Sequence, residues 1–384
     1  MRPAVSLGDI RPTNFDGFIG RDSEKTSLIN SLRALERDVE SAKKMDIEAG
    51  KRTWEAAYDV ASDHVLISGL AGCGKTTLAQ IYAEERSKAA INLDWPIWVE
   101  KNGDPGVDKW DGGLPDRPYR WSVVEGRMIS SEEILDRYLC FMQAYGTLVI
   151  DEFQFVDKNA TRILYSLMHD GEWFSRFRGH IVKVSGFSVV ATTTDDDEIP
   201  EPLVSRFPIK INLNSYRKED LCKIAVNACE KIGVSILGDE ALNLAIQRGR
   251  DTPREIVSLL RMARTILRAK GDCSVIDEGT VREASIQLGN GPMGLTKNEI
   301  KVMSYLRDAE EAARKEGKTI AKGTLSAIGG YGKIDKYLRS QSFLIARGYV
   351  SPGHGGTSLT KMGREIISLI RKEPDFVSVD PSLH

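Results

Sequence analysis

The segment Gly69–Thr76, which reads GLAGCGKT, constrains the fold more than any other part of the chain. It follows an apolar run at His64–Ser68 and precedes a helical pattern that begins near Thr76. Its glycines allow successive backbone N–H groups to turn inward around phosphate groups, and the helix that follows directs its positive end at the same anion. A strand, such a turn and a helix are typical of the phosphate-binding loop, or P-loop.

The P-loop predicts ATP and Mg²⁺ as cofactors. We expect Lys75 to reach the β- and γ-phosphates and the Thr76 hydroxyl to bind Mg²⁺. The predicted nucleotide contacts of this segment are Gly69, Leu70, Ala71, Gly72, Cys73, Gly74, Lys75, Thr76 and Thr77.

Two further apolar runs also end in polar residues. Thr147–Ile150 precedes the acidic pair Asp151-Glu152, and Phe187–Ala191 precedes the Thr192–Thr194 cluster. Short apolar runs that alternate with helical patterns predict a parallel sheet flanked by helices, with ligands at the carboxyl ends of the strands. We expect Asp151 to hold the Mg²⁺ shell and Glu152 to activate water as a general base. Because a protein that only binds ATP has no need of such a base, the pair predicts hydrolysis.

The Thr192–Thr194 cluster and two arginines are further candidates for the catalytic site. A hydroxyl of the cluster, at the end of the third apolar run, is suited to position water near the γ-phosphate, and an ordinary polar strand end is the alternative. Arg206 is suited to neutralise charge on the γ-phosphate, within a subunit or across an interface, and Arg254 to reach the same phosphates from the second domain. Taken alone, a surface salt bridge is the simpler explanation of Arg206, and a plain surface position is the alternative for Arg254.

The second half of the chain is helical and ends in a hairpin pattern. Pro253–Lys270 keeps a helical apolar stripe, with Thr252 and Glu255 predicted to form a capping box. Leu288–Gly294 reads as a linker, and a second capped helix begins at Thr296 with Glu299. Apolar residues on both sides of the glycine-rich tip Ser351–Gly356 predict a small β-hairpin.

These patterns predict an α/β protein: a P-loop core with a parallel sheet, a small helical lid and a C-terminal winged-helix domain. The predicted limits are 1–212, 213–292 and 293–384. Two insertions are predicted in the core, a charged helical segment at about 34–62 and a segment at about 92–120 rich in Gly, Pro and Asp. Four of the six tryptophans fall within 92–121, at Trp95, Trp98, Trp110 and Trp121.

The charge distribution is uneven. Gly294–Ile370 holds 13 basic and 7 acidic side chains, a balance of +6, which leaves −8 for the rest of a chain with formal charge −2. A basic terminal module is typical of nucleic acid contact, and equally of a solvated basic surface. The five scattered cysteines contain no C-x-x-C pair, which argues against a zinc or redox motif. With no signal peptide or apolar segment of membrane-spanning length, the sequence predicts a cytoplasmic protein with no membrane association.

The order of these motifs resembles that of AAA+ ATPases, and most closely the RuvB family of Holliday-junction branch-migration motors. The resemblance runs from about Arg11 to Gly363 and is strongest in the core and lid. The segments that carry it, besides the P-loop, are Arg11-Pro12 with Phe18-Ile19-Gly20, Asp63–Ile67, Ile163–Met168, Ala191–Thr193, Tyr216 in YRKEDL, and Asp251–Arg254 in DTPR.

The resemblance implies roles for individual residues. Ile19 and Tyr216 would flank the adenine, Thr193 would be sensor 1, and Arg254 would be sensor 2. Arg206 would be an arginine finger that completes the site of a neighbouring subunit. The resemblance therefore implies a homo-oligomer, most commonly a hexameric ring, that draws DNA through its channel and serves DNA recombination and repair.

Several positions depart from the family pattern. The family's His-Arg after the acidic pair is here Gln154-Phe155. The segment after Met168, which in the family holds a hairpin that contacts the junction-binding partner RuvA, is shorter and divergent. The family's wing carries arginines that contact DNA, whereas the tip here, Ser351–Gly356, carries none. Lys333, Lys336 and Arg339 are the alternative candidates for phosphate contacts, and a solvated helix face explains them at least as simply.

Three hypotheses follow from these observations. The first is a motor for branched DNA. The second is a nucleotide switch that loads or regulates another DNA-acting, defence or mobile-element enzyme without translocating, and the missing wing arginines and the tryptophan-rich insertion favour it modestly. The third is a protein remodeller, which normally needs an aromatic pore loop that the sequence does not identify.

Overall fold

A computed structural model describes residues 10–48, 63–92, 119–140, 142–183, 186–271, 275–316, 343–353 and 356–370. The chain divides after Tyr216 into two compact units, one that begins at Leu7 and one that begins at Arg217. The three domain limits expected from the sequence stay predictions.

The first unit is built on a parallel sheet. Its strands are β1 (Val65–Gly69), β2 (Tyr119–Glu125), β3 (Met142–Asp151), β6 (Ser188–Thr193) and β7 (Ile209–Leu213). They lie in the order β2-β3-β6-β1-β7, and every neighbouring pair is parallel. All six residues of the central strand β6 are buried, as expected for a sheet covered on both faces.

Helices and one hairpin cover the sheet. The helices are α1 (Asp22–Glu48), α2 (Lys75–Asn92), α3 (Glu132–Cys140), α4 (Ala160–Asp170) and the short α5 (Glu201–Val204). An antiparallel hairpin, β4 (Glu172–Ser175) with β5 (His180–Lys183), lies between α4 and β6 in the chain. One apolar core joins residues of α3 and α4 to the sheet, and a second joins residues of α1 and α2.

The three predicted strands and the parallel α/β fold are confirmed. Each apolar run forms a strand. At its carboxyl end, each strand differs from the predicted run by a few residues at most. The register aligns the strand ends, because Ser68 pairs with Thr193 and Ile150 with Ala191. The P-loop, the acidic pair and the threonine cluster therefore meet at one edge of the sheet.

The insertions are only partly described. The described part of the predicted 34–62 segment belongs to α1, which already begins at Asp22. Residues 93–118 lie outside the described ranges, together with Trp95, Trp98 and Trp110. Trp121 lies in β2 and packs against the core beneath α2.

The second unit begins with a helical group. It contains α6 (Lys218–Ile232), α7 (Gly238–Arg248), α8 (Pro253–Ala269) and α9 (Glu278–Gln287), with a two-residue parallel pair formed by β8 (Ser235–Ile236) and β9 (Val275–Ile276). The apolar stripe predicted for α8 is buried.

The capping box predicted at Thr252 is wrong. No side chain caps α8, and the Thr252 hydroxyl instead lies 3.5 Å from the carbonyl of Gly249. Arg250 and Asp251, which precede Thr252, both adopt left-handed backbone conformations. The chain thus enters α8 through a tight turn, and the hydroxyl hydrogen-bonds back into that turn.

The unit ends with α10 (Lys297–Glu316), the antiparallel hairpin β10 (Val350–Gly353) with β11 (Gly356–Leu359), and α11 (Lys361–Ile370). These elements share one apolar core. The capping box predicted at Thr296 is present, because the Thr296 amide donates to Glu299 and the Glu299 amide donates to the Thr296 hydroxyl. The hairpin expectation is confirmed. The winged-helix assignment stays a prediction, since 317–342 lies outside the described ranges together with Lys333, Lys336 and Arg339.

Candidate nucleotide site

The P-loop joins β1 to α2 as predicted. Gly69, the last residue of β1, has φ 140°, and a Cβ there would lie 2.4 Å from the carbonyl oxygen of Leu213 in the neighbouring strand. Only glycine permits both this backbone conformation and this close approach. The loop therefore leaves the sheet edge with its backbone close to β7 and enters α2 at Lys75.

Lys75 is folded over the loop. Its ammonium donates to the carbonyl oxygens of Gly69 at 2.9 Å and Leu70 at 3.1 Å, and the residue is only 5% exposed. A buried ammonium needs acceptors, and these carbonyl oxygens supply them within the loop. The ammonium is thus held by backbone carbonyls at the start of the P-loop.

The two predicted Mg²⁺ ligands are in direct contact. The Thr76 hydroxyl donates to Asp151 Oδ1 at 2.7 Å, and the Thr192 hydroxyl donates to the same oxygen. One hydroxyl and one carboxylate suit Mg²⁺, which takes its remaining ligands from phosphate oxygens and water. Among the described residues there is no cluster of three or more His, Cys, Asp or Glu.

Glu152 has an unusual backbone. It adopts a left-handed conformation, with φ 53° and ψ 56°, immediately before the short 3₁₀ turn Phe153–Phe155. Its amide donates to the Thr192 hydroxyl at 3.3 Å. A non-glycine residue in this region costs free energy, and such residues are enriched at functional positions. The bend sets the direction of the Glu152 carboxylate at the sheet edge.

The Glu152 carboxylate is held by two side chains. Gln154 Nε2 donates to Oε2 at 2.5 Å, and the Thr194 hydroxyl donates to the same oxygen at 3.2 Å. The Gln154 carbonyl in turn accepts from the Thr193 hydroxyl at 2.7 Å. Thr193 is fully buried. The predicted base and the predicted sensor are therefore linked through Gln154, a residue that the sequence marked only as a departure.

Of the two predicted adenine contacts, Tyr216 touches the P-loop, and Ile19 is partly buried. The Tyr216 hydroxyl donates to the Cys73 carbonyl at 3.3 Å, and the Arg21 guanidinium lies 4.3 Å from the centre of the Tyr216 ring. Phe18 is buried, and a Cβ at Gly74 would lie 3.1 Å from its ring. Phe18 and Arg21 were not among the predicted site residues. Phe18 belongs to the segment that carried the resemblance, whereas no pattern singled out Arg21.

Cys73 occupies a variable position of the loop. Burial raises the pKa of its thiol, against the opposing influence of Arg21 and Lys75. A neutral thiol avoids placing negative charge beside a bound triphosphate.

The two predicted arginines lie in different units. Arg206, just after α5, donates to the Pro202 carbonyl at 2.5 Å, and its guanidinium lies 5.0 Å from the Tyr165 ring centre. These contacts hold the partly buried Arg206 side chain against the first unit, and its role stays a prediction. Arg254 is exposed in the first turn of α8, in the second unit.

The hairpin β4–β5 is anchored firmly to the first unit. The buried Asp136 accepts from the Trp173 indole at 2.8 Å and from the Phe177 amide at 3.0 Å. Phe174 and Ile181 project outward and are 59% and 61% exposed. The divergent segment after Met168 thus forms a hairpin with an apolar outer face.

None of the helices in the described ranges combines the length and the apolar character that a membrane span requires.

Comparisons with known proteins agree with this geometry. A family model described as "ATPase family associated with various cellular activities (AAA)" matches residues 65–215. Three relatives are each named Holliday junction branch migration complex subunit RuvB. The protein of Anaplasma phagocytophilum is 30% identical over 76% of this chain and 80% of its own length. That of Ehrlichia canis is 28% identical over 87% and 88%, and that of Campylobacter hominis is 26% identical over 94% and 90%.

A solved structure shares the fold. The Thermotoga maritima RuvB Holliday junction branch migration motor superimposes with a TM-score of 0.66 at 23% identity, covering 94% of this chain and 98% of that one. The nucleotide-binding core, the motif order and the similarity over most of the length lead to one assignment. The chain belongs to the RuvB family of AAA+ ATPases, as a divergent member.

Proposed function

We propose that the protein is an ATP-hydrolysing ring motor that acts on branched DNA, a function like that named in its relatives. The observation that carries this proposal is the extent of the similarity, which reaches 94% of the chain and so includes the C-terminal region as well as the ATPase core. A protein that kept only the ATPase chemistry would be similar over the core alone.

The proposed chemistry uses the contacts at the sheet edge. Lys75 binds the β- and γ-phosphates, Thr76 and Asp151 hold Mg²⁺, and Glu152 takes a proton from the attacking water. Thr193 acts as sensor 1 beside them. Bound Mg²⁺ neutralises charge on the phosphates. Ile19 and Tyr216 flank the adenine.

The proposed ring completes this site. Arg206 lies at the surface of its own unit, where it is suited to reach the γ-phosphate bound by an adjoining subunit. Arg254 reports the nucleotide state to the helical group that contains α8. Since each site then needs two subunits, we propose a homo-oligomer, with six subunits as the family resemblance implies.

The C-terminal region is the proposed DNA-binding part. It carries the balance of +6 between Gly294 and Ile370, which suits phosphate contacts. The wing from Val350 to Leu359 contains neither lysine nor arginine. Lys333, Lys336 and Arg339 are therefore the proposed contacts.

The experiment measures ATPase activity with a four-way DNA junction, linear duplex or no DNA. We expect the junction to stimulate turnover most, with stimulation falling as salt rises because phosphate contacts release counterions. Lys75→Ala serves as the inactive control. Absence of junction stimulation at low salt, in a preparation that hydrolyses ATP, would reject the motor proposal.

The outer face of hairpin β4–β5 is the proposed site for a junction-binding partner protein. Phe174 and Ile181 present apolar side chains on a hairpin that Asp136 anchors. Large exposed apolar side chains on a rigid element are typical of a protein interface. Phe174→Ser with Ile181→Ser should weaken partner-dependent branch migration and leave ATPase activity without the partner unchanged.

The second candidate is a nucleotide switch that regulates another enzyme without translocating. The absence of wing arginines and the tryptophan-rich insertion at about 92–120 favour it, since both differ from the family pattern. A strand-displacement or branch-migration assay separates the two, because a switch hydrolyses ATP without moving DNA. A protein remodeller, the third candidate, would instead be stimulated by polypeptide.

A further inference from the structure

Gln154 connects two groups that ATP hydrolysis requires to act together. The left-handed backbone at Glu152 turns the chain so that the Gln154 side chain lies beside the Glu152 carboxylate. The same amide group reaches Thr193 at the end of the neighbouring strand β6. Gln154 is partly buried, so the carboxyamide is held between these elements rather than extended into solvent.

The orientation of the amide is determined by its partners. The ionised Glu152 carboxylate only accepts hydrogen bonds, so the NH₂ group of Gln154 must face it. Nε2 also lies 2.9 Å from the Thr194 hydroxyl. The Gln154 carbonyl is thereby directed at Thr193 and accepts its hydroxyl proton at 2.7 Å. Reversal of the amide would bring two acceptor oxygens together at Glu152.

Thr193 has one hydroxyl proton and more than one acceptor. Its Oγ1 lies 2.7 Å from the Gln154 carbonyl and 2.8 Å from the carbonyl of Asp195. A hydroxyl donates one hydrogen bond at a time, so these two acceptors compete for it. A change that redirects the Thr193 proton alters the hydrogen bond that positions the Gln154 carbonyl. Through Gln154, it also alters the hydrogen bond that positions the Glu152 carboxylate.

The hydrogen bonds also distinguish the two oxygens of Glu152. Gln154 and Thr194 both donate to Oε2. This leaves Oε1 to accept the proton of the attacking water, as the water oxygen bonds to the γ-phosphorus and the bond to the ADP oxygen breaks. A carboxylate held at one oxygen by two donors has little rotational freedom, which favours productive alignment.

We propose that Gln154 is a positioning residue for hydrolysis: it fixes the Glu152 carboxylate and makes its alignment depend on sensor Thr193. The inference rests on the proposed function in taking Glu152 as the base. It adds a role for a residue at which this chain differs from the family pattern. The Gln154 amide donates a hydrogen bond to Glu152 and accepts one from Thr193. An apolar side chain of the same length does neither.

The experiment compares Gln154→Met with Gln154→His in the full chain. Methionine keeps the length and loses both hydrogen bonds, so kcat for ATP should fall about 10- to 100-fold, while KM and the Kd of a fluorescent ADP analogue stay within about twofold. Histidine has one donor and one acceptor nitrogen and should return kcat to within about threefold of the original. Unchanged kcat in Gln154→Met, or a parallel loss of ADP affinity, would overturn the proposal. Failure of histidine to restore kcat in a protein of normal Tm would assign the loss to packing and overturn it also.

A double-mutant cycle separates this inference from the proposed function. If Gln154 acts through Glu152, Gln154→Met should have no further effect on kcat once Glu152→Gln is present. Independent, multiplicative losses would contradict the positioning role. Normal turnover in Glu152→Gln alone would instead reject the base assignment, and with it the proposed mechanism. Slow turnover in Glu152→Gln with normal turnover in Gln154→Met would reject only the present inference.

Discussion

The Thr76 hydroxyl lies 2.7 Å from Asp151 Oδ1 and joins the first turn of α2 to the end of β3. These residues are 75 positions apart in the chain. The contact exists because β1 and β3 both lie beside β6 and end at the same edge of the sheet. An oxygen pair at this edge is the minimal protein contribution to a magnesium site beside a triphosphate.

We therefore expect Thr76→Ala to lower ATPase turnover roughly 100-fold, because one metal ligand is lost. Thr76→Ser is the matched control, since serine keeps the hydroxyl and should retain most of the activity. The measurement is kcat as a function of Mg²⁺ concentration. Equal activity in the alanine and serine variants would exclude the hydroxyl as a ligand.

Arg206 allows a direct test of the shared site. Arg206→Ala should bind ATP normally, and both Arg206→Ala and Glu152→Gln should hydrolyse it about 10³-fold more slowly than the original. Each protein alone lacks one component at every site. In a random equimolar mixture, about a quarter of the subunit interfaces combine an intact Glu152 with an intact Arg206 from the neighbour. Turnover near that fraction should appear after subunit exchange. No recovery in exchanging subunits would indicate that the arginine acts within its own subunit.

Local sequence patterns were sufficient to predict much of the structure of the first unit. Apolar runs identified three strands, and the P-loop spacing identified the turn before α2, because both features depend on residues adjacent in sequence. The capping box at Thr252 failed for the opposite reason. Its geometry depends on the left-handed backbone at Arg250 and Asp251, and neither is a glycine that would have indicated it.

Sequence patterns were equally unable to predict the hydrogen bonds through which Gln154 links Glu152 to Thr193. It requires the left-handed conformation of Glu152 and the pairing of β3 with β6, which brings residues 154 and 193 together. The sequence indicated only that the residue differs from the family pattern. Contacts between separate segments depend on backbone direction, which residue types alone do not specify.

Gly126 is expected to control the position of Glu152 through the backbone. A Cβ at Gly126 would lie 2.4 Å from the carbonyl oxygen of Glu152. Gly126→Ala must therefore displace the peptide that precedes the Phe153–Phe155 turn, and kcat should fall about tenfold or more while ADP affinity stays within about twofold. Gly279→Ala, in α9, is the matched control, because a Cβ there would make only ordinary contact, 3.6 Å from the Asp277 carboxylate. Similar kinetics in the two variants would show that the approach at Gly126 is unimportant.

Glu299 holds the start of α10 to the turn before α8. It is nearly buried, caps its own helix through Thr296, and forms a two-pronged ion pair with Arg250 at 2.8 and 2.9 Å. Its loss leaves the Arg250 charge without this partner, which we expect to destabilise the second unit by about 3 kcal/mol. Glu311→Ala, on the same helix, removes an exposed pair with Arg307 and should cost less than about 1 kcal/mol. Hydrogen exchange of the α10 backbone amides measures both losses of stability. Equal protection in Glu299→Ala and Glu311→Ala would contradict this account.

His64 makes the stability of the first unit depend on pH. Burial, with a smaller effect of the Arg86 charge, lowers the pKa of His64 from 6.5 to about 4, and its Nδ1 accepts the Val189 amide at 3.0 Å. Between about pH 6.5 and 4, His64 is thus protonated in the unfolded chain and neutral in the folded chain. Stability should therefore fall as the pH decreases through this window, by at most about 3 kcal/mol, and this contribution should level off below pH 4. His64→Gln keeps an acceptor for Val189 but does not titrate. Thermal melts from pH 7.5 to 4.5 should show a shallower decline in Tm for His64→Gln, and identical slopes would exclude His64 as the cause.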